Sequence, residues 1–334
     1  MSKIRPTIRD LAALAGFSKS TISAALAGDP RVKTETRQKI QDVAREAGYK
    51  PHPHFRILGA QRRNGHSGDE TLVFFVHSDD RERKPRFQAS LDHAEEVGYK
   101  TELWPIDNNT DYHELADTLY HRGIRGIMLV WGCKFLAPHD FPWDRFACVA
   151  TGYHTGPVQL DRIRHDPFLA VRMAFQKMIE AGWRKIGGYF PYDEPTSCIQ
   201  DEQRVAAFEY YQKIFLDPKD ILPPLQCPFQ MKKPFRDWFV KHRPEALVGV
   251  VSSPVTDPAF LAGIAEPPPF VSLQIGRSDH SVAGIDVHSH EVQISAVDWL
   301  EDKLRLGQFG LSTPTRRMMI EPEWIEGRSL WKKR

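Results

Sequence analysis

A chain of 334 residues, 41% hydrophobic and 26% charged, is long enough for one large α/β domain with an appendage or for two to three lobes, each with a packed core. Its four cysteines, Cys133, Cys148, Cys198 and Cys227, lack C-x-x-C spacing, which argues against a disulfide frame or zinc site and for reduced thiols in a cytoplasmic protein. Net charge is only +2, yet residues 1–66 hold 13 Lys/Arg against 5 Asp/Glu and the remainder 32 against 38. A basic head on an acidic body points to a polyanionic partner for the head alone. The charged start, MSKIRPTIRDLAALAG, offers no apolar run for a signal peptide, and no stretch reaches the roughly 20 apolar residues of a membrane span. The expectation is a cytoplasmic protein with no membrane partner.

Three short amphipathic segments come first. Ile8, Leu11, Ala12 and Ala15 recur as the inward stripe of a helix, which Thr7 is placed to cap with Asp10 three residues on. Gly16 supplies a turn. Ser18 is the expected N-cap of a second helix with Ile22, Ala25 and Leu26 inward, ended by Gly28, Asp29 and Pro30. Ile40, Val43, Ala44 and Ala47 repeat the stripe in a third, which Gly48 closes. Two short helices joined by a glycine turn make a helix-turn-helix. Its second helix turns Lys19, Ser20, Ser23 and Ala24 outward near the N-terminus, the part that enters a major groove. A three-helix bundle that binds no DNA shows the same pattern; the local basic balance favours DNA.

Residues 49–68, YKPHPHFRILGAQRRNGHSG, read as a polar linker rich in Pro, His and Arg. Gly59 weakens any helix there by about 1 kcal/mol relative to alanine. His52 and His54, two residues apart in a Pro-bounded loop, do not suggest a metal site.

From residue 70, apolar strand-like runs alternate with helical stretches. TLVFFV, KTELWPI, IRGIMLVW and RFACVATG make a first series; KIGGYF, LVGVVSS, FVSLQI and VAGIDV make a second. Helices are expected near 167–182, 201–215 and 289–306. This alternation predicts two doubly wound parallel-sheet lobes, with a ligand at the carboxyl ends of the strands between them.

The segment TIRDLAALAGFSKSTISAALAGDPRVKTETRQKIQDVAREAGYKP resembles the head of the lactose-repressor (LacI/GalR) family of bacterial transcription regulators. The marks are T-I-x-D-L-A-x-L-A-G, S-x-S-T-I-S, E-T-R and A-G-Y-K-P. The resemblance implies that Lys19 and Ser20 read bases, with Ala24 in the position of a third reader. It places Thr21 and Ser23 where phosphate is touched, and Thr36 and Arg37 at a third-helix start suited to the same contact. Thr7, Ser18 and Tyr49 complete the expected DNA-binding set. An alanine at 24 touches only a thymine methyl or nothing, so weak or thymine-biased reading is expected there. The family's hinge helix, folding on DNA and wedging a leucine into the minor groove, falls at Leu58 with Arg56 two residues before it. His52, Pro53, His54 and Phe55 depart from the family's small and polar residues, and a plain flexible linker remains the other reading.

The body also resembles the family's effector-binding body, itself similar to periplasmic sugar-binding proteins. HDPFLAVRMAFQKMIEAGWRKIGGYF, QRVAAFEYYQKI, VAGIDVHSHEVQISAVDWL and WIEGRSL carry this in order. The implied division is a helix-turn-helix domain over 1–50, a hinge helix or linker over 51–68, and an effector-binding and dimerisation domain over 69–334. Within that, lobe 1 covers about 69–164 and 290–315, and lobe 2 about 165–289 and 316–334. Arg204 matches an arginine that binds effector hydroxyls or carboxylate; an ion pair with Asp201 or a glutamate is its other reading. Asp166 matches an aspartate at the crossover and suits an N-cap. SSPVTDP stands where the family has an Asn-Asp pair, leaving Asp257, shifted later, as the acidic candidate. His77, Ser78 and Asp79 follow the first strand, where ligand residues or a solvated loop belong.

No G-x-G-x-x-G after a strand, G-x-x-x-x-G-K-[ST], G-x-S-x-G or H-E-x-x-H is present, so neither catalytic residues nor a cofactor is expected. The reading is a sequence-specific DNA-binding regulator, a repressor, acting as a homodimer on a near-palindromic double-stranded operator. A small-molecule, sugar-like effector between the lobes controls its operator affinity. The alternative is a sugar- or nucleotide-processing α/β enzyme with an accessory DNA-binding head.

Overall fold

The computed structural model describes residues 8–26, 32–47, 70–77, 87–107, 109–130, 140–152, 158–192, 199–228, 231–250, 252–264, 266–275 and 281–333. The chain divides into two compact units, Met1–Gly65 and His66–Arg334.

In the first unit, α1 (Ile8–Ala15), α2 (Lys19–Leu26) and α3 (Thr34–Glu46) close around Leu11, Ala15, Ile22, Ala25, Ile40 and Ala44. These are the residues that the sequence stripes turn inward. Burying Leu11, Ile22 and Ile40 contributes about 2 kcal/mol each. The turn between α1 and α2 needs Gly16, whose φ of 73° lies in the left-handed region that side chains with a Cβ disfavour. The Gly16 N–H still donates to the Ala12 carbonyl at 3.1 Å, so the helix end is satisfied.

The second unit holds two six-stranded sheets. Its elements in chain order are β1 (Thr71–His77), α4 (Gln88–Glu96), β2 (Lys100–Ile106), α5 (Tyr112–His121), β3 (Gly126–Leu129), β4 (Ala147–Thr151) and β5 (Arg162–His165). Then come α6 (Pro167–Glu180), β6 (Ile186–Tyr192), α7 (Ile199–Phe215), β7 (Leu225–Pro228), α8 (Lys232–His242), β8 (Ala246–Gly249) and the single turn α9 (Ser253–Thr256). The chain finishes with β9 (Phe270–Ile275), β10 (Ala283–Asp286), α10 (Ser289–Leu306), β11 (Arg317–Ile320) and β12 (Glu323–Ile325).

Lobe 1 has the strand order β11-β5-β4-β3-β1-β2, all parallel; lobe 2 has β12-β10-β9-β8-β6-β7, parallel except that β12 runs antiparallel to β10. Central strands such as β3, β4 and β8 are buried at every residue, because helices cover both faces. One face of the lobe 1 sheet packs under α4 and α10 around Phe74, Met128 and Leu300. The other packs Phe75, Ile127 and Cys148 against Leu119 of α5 and Trp143.

The chain passes between lobes three times: after His165, between Asp286 and Ser289, and between Ile320 and Glu323. The last crossing corrects the sequence boundary. The sequence puts about 316–334 in lobe 2, but β11 hydrogen-bonds beside β5 in lobe 1, and β12 is the strand that joins lobe 2. The physical reason lies at Asp161. Its buried carboxylate accepts from Lys303 Nζ at 2.8 Å, Ser312 Oγ at 2.5 Å and the Arg316 N–H at 2.8 Å, tying the end of α10 and the loop before β11 to the entry of β5. The Lys303 and Asp161 side chains are 3% and 1% exposed. Burial alone raises the Asp161 carboxyl; Lys303, Ser312 and the Arg316 N–H outweigh it and hold it below the usual aspartate range.

Candidate nucleic-acid interface and interlobe site

The head is built so that α2 begins cleanly. The Thr21 N–H donates to Ser18 Oγ at 3.1 Å, the capping bond expected from the sequence, and the two hydroxyls lie 2.7 Å apart. With Ile22 and Ala25 locked into the core, Lys19 stands exposed on the first turn, while Thr21 and Ala24 are half-buried. The exposed ammonium lies beside first-turn N–H groups that also favour negative charge. Thr36 and Arg37 sit half-buried on the first turn of α3. Arg37 donates through Nη2 to the Val32 carbonyl at 3.2 Å, so part of its fork braces the approach to α3. Thr7, Tyr49, Arg56 and Leu58, with the whole expected hinge, lie outside the described residues, as do the side chains of Ser20 and Ser23.

The interlobe site gathers where β5, α7 and β9 meet. Asp166 caps α6, accepting the Phe168 and Leu169 N–H groups at 2.9 and 3.1 Å; this is the bland role the sequence suggested. Immediately before it, at the carboxyl end of β5, stands His165. Arg204 reaches across from α7, its side chain only 4% exposed. It donates through Nη1 to Asp201 at 2.7 Å and through Nη2 to Gln274 Oε1 at 3.0 Å, with His165 Nε2 3.5 Å from Nη2. Gln200 Nε2 lies 2.7 Å from the same imidazole nitrogen.

Two donors converge on His165 Nε2, so that nitrogen accepts and the ring proton sits on Nδ1. Burial first, then the nearby Arg204 and Arg164 charges, push the imidazole down to about 3, leaving it neutral at physiological pH. The Arg204 fork is therefore held by one carboxylate, one amide and one neutral ring, in a place nearly cut off from solvent. A guanidinium fork is the donor geometry that pairs with carboxylates and vicinal hydroxyls.

Arg204 makes the ion pair with Asp201 that was its other reading, and does so buried at the strand ends. The other expected ligand residues are not brought to it by any described bond. Asp257 accepts the Ala259 N–H at 2.8 Å and pairs with Lys232 at 3.1 Å, which gives its carboxylate the work of a turn. His77 ends β1, but its side chain lies outside the described residues, and so do Ser78 and Asp79. Sequence reasoning missed His165, Gln200 and Gln274. Their signals were positional: His165 precedes the Asp-Pro that starts α6, Gln200 sits one turn before Arg204, and Gln274 is the last residue but one of the run FVSLQI.

At the other two crossings, the Asp286 carboxylate accepts the His288 N–H at 2.8 Å, and the His288 ring lies 3.4 Å from Asp286 and 3.9 Å from Glu323. Among the described residues no group of three or more His, Cys, Asp or Glu could hold a metal ion, and no helix is long and apolar enough to cross a membrane.

A helix-turn-helix unit followed by two doubly wound lobes is the architecture of bacterial regulators built on a periplasmic-binding-protein-like body. The model of "Bacterial regulatory proteins, lacI family" matches residues 7–52, covering α1 to α3. The head of the chain is thus similar to that of lacI-family regulators, and curated regulators of operons match further along it. The chain is 28% identical over 221 residues to the NTD biosynthesis operon regulator NtdR of Bacillus subtilis, 62% of each chain, and 26% identical over 187 residues to the ribose operon repressor of Haemophilus influenzae, 54% of this chain and 53% of that one. These matches span about three fifths and half of the curated relatives' lengths. Among solved structures, the lac repressor dimer bound to operator and the anti-inducer ONPF superposes with a TM-score of 0.57 at 14% identity, covering 98% of this chain and all of that one. At that identity the likeness shows the fold.

Proposed function

We propose that this protein is a sequence-specific DNA-binding transcriptional regulator, a repressor, whose operator affinity is set by a small molecule bound between its lobes. The observation that carries the reading is the capped α2, which holds Lys19 exposed on its first turn within the segment matched by the lacI-family model. Lys19 and Ser20 read bases, Thr21, Ser23, Thr36 and Arg37 meet phosphate, and Leu58 wedges the minor groove from the hinge. Two copies place two heads on half-sites of a near-palindrome. The protein is cytoplasmic and performs no catalysis.

The effector site is centred on Arg204, with Gln274, Asp201 and His165 fixing its fork. The buried guanidinium at the strand ends supports a ligand rich in hydroxyl or carboxylate groups, a sugar or sugar acid. Binding there changes the angle between lobes and shifts the population of DNA-competent dimers.

A mobility-shift assay on the full chain, using duplexes enriched from a random library, tests the regulatory reading. Retained, sequence-selective duplexes support it. Turnover of sugars or nucleotides by a preparation that retains no duplex replaces it with the enzyme reading. A thermal-shift panel of neutral mono- and disaccharides and small carboxylates locates the effector class, and Arg204→Ala removes the response to the active compound.

A further inference from the structure

β11 is an edge strand of lobe 1 with nothing along its outer side among the described residues. Its residues Arg317, Met318 and Met319 are all exposed, the two methionines at 43% and 44%. Consecutive exposed methionines at a sheet edge are unusual, because Met318 and Met319 point to opposite faces and neither face covers them. Leu306, Phe309 and Leu311, close by in sequence, are exposed as well.

The register shows which backbone groups are free. Arg317 pairs with Arg162 and Met319 with Arg164, and the Arg162 N–H donates to the Arg316 carbonyl at 3.1 Å. In a parallel ladder this turns the N–H and C=O groups of residues 316, 318 and 320 toward β5. Those of Arg317 and Met319 face outward.

We propose that β11 pairs antiparallel with β11 of a second copy of this chain, joining two lobe 1 sheets edge to edge. Outward groups must face outward groups, so the strands pair about an outward residue or about an inward one. A two-fold at Met319 sets Met319 opposite Met319, Met318 opposite Ile320 and Arg317 opposite Glu321. That register places Met318 and Ile320 of both copies together on the face that carries α10, and two Arg317–Glu321 ion pairs on the opposite face. Moving the two-fold to Met318 sets Arg317 against Met319 and Arg316 against Ile320 and loses both ion pairs. Among the described residues, neither Arg317 nor Glu321 has a hydrogen-bond or ion-pair partner within its own chain, so both charges are available. The strand R-M-M-I-E is thus self-complementary in charge, in apolar content and in backbone polarity. Four residues alone bury less than the roughly 1,200 Å² of a stable interface, so the pairing is weak and concentration-dependent. Where the chain already forms a dimer through another face, this edge links dimers.

Sedimentation velocity of the full chain from low to high micromolar concentration tests this, with far-UV circular dichroism checking that each variant is folded. The wild type doubles its smallest mass reversibly as concentration rises. Arg317→Glu and Glu321→Arg each abolish the step, and the double exchange restores it. Met319→Pro, which removes an outward N–H and no bond to β5, also abolishes it. A wild-type mass independent of concentration overturns the proposal, as does a step that survives the single exchanges or is not restored by the double one.

Discussion

Lys19, Arg204 and His165 show how much a single side chain decides in this molecule. Lys19 is exposed because Ile22 and Ala25 fix the opposite face of α2. Replacing it by alanine leaves the fold intact and costs about 1–3 kcal/mol of affinity for the preferred duplex, read from titrations at one salt concentration. Ala24 has no polar atom to offer a base, and a selection experiment should return weak or thymine-biased preference at the pair it faces. His165 makes a different prediction, through pH. Its imidazole is depressed from 6.5 to about 3 in the fold, so between these values the unfolded chain binds a proton that the folded chain does not. Stability therefore falls as pH drops below about 6.5 and continues to fall toward 3. Melting temperatures measured across that range should slope downward for the wild type and less steeply for His165→Gln.

At the scale of elements, the ties that hold neighbouring segments were the least legible in sequence. The stripes of α1, α2 and α3 and the Ser18 cap could be read directly, because helix period and capping are local. The runs that became β1, β6 and β9 were equally clear, since strands buried on both faces are continuously apolar. RIRH and RMMI have no apolar run to mark β5 and β11: β11 is held as a strand by β5, and β5 by β11 and β4 on its two sides. Asp161 and Lys303 are 142 residues apart, and Gln274 is 70 from Arg204, separations across which composition and periodicity carry no signal. The head's helices were therefore legible in place, and the buried cluster where β5, α7 and β9 meet only at Arg204. The Asp161 tie predicts that Asp161→Asn, which strands a buried ammonium, destabilises the protein by about 3–5 kcal/mol in denaturant unfolding. Because the fold lowers the Asp161 pKa, its contribution is present above the usual aspartate range and lost as pH falls through the lowered value. That places its acid limb below the one set by His165.

The whole molecule joins a charge-patterned head to a body whose lobes exchange the chain three times. All three crossings carry ionisable or hydrogen-bonding side chains: His165 at the first, Asp286 and His288 at the second, Glu323 after the third. A ligand that takes over the Arg204 fork must displace Gln274 of β9, Asp201 of α7 or His165 of β5, and so bears directly on how the lobes meet. Arg204→Ala should then leave operator affinity in the absence of ligand within a few-fold of wild type while abolishing its response to the effector. Loss of both together would place Arg204 in the fold rather than in the switch.

The central claim is that the head grips duplex DNA through phosphate contacts and reads it from the start of α2. The most direct measurement is the affinity of the full chain for its selected duplex across a salt series, for the wild type and for Lys19→Ala. The account predicts a steep linear fall of log affinity with log salt, with a slope of about −5 or steeper for two heads making at least six phosphate contacts. It also predicts that Lys19→Ala narrows the gap between selected and random duplexes. A flat salt dependence, or equal affinity of the wild type for selected and random duplexes, would contradict it.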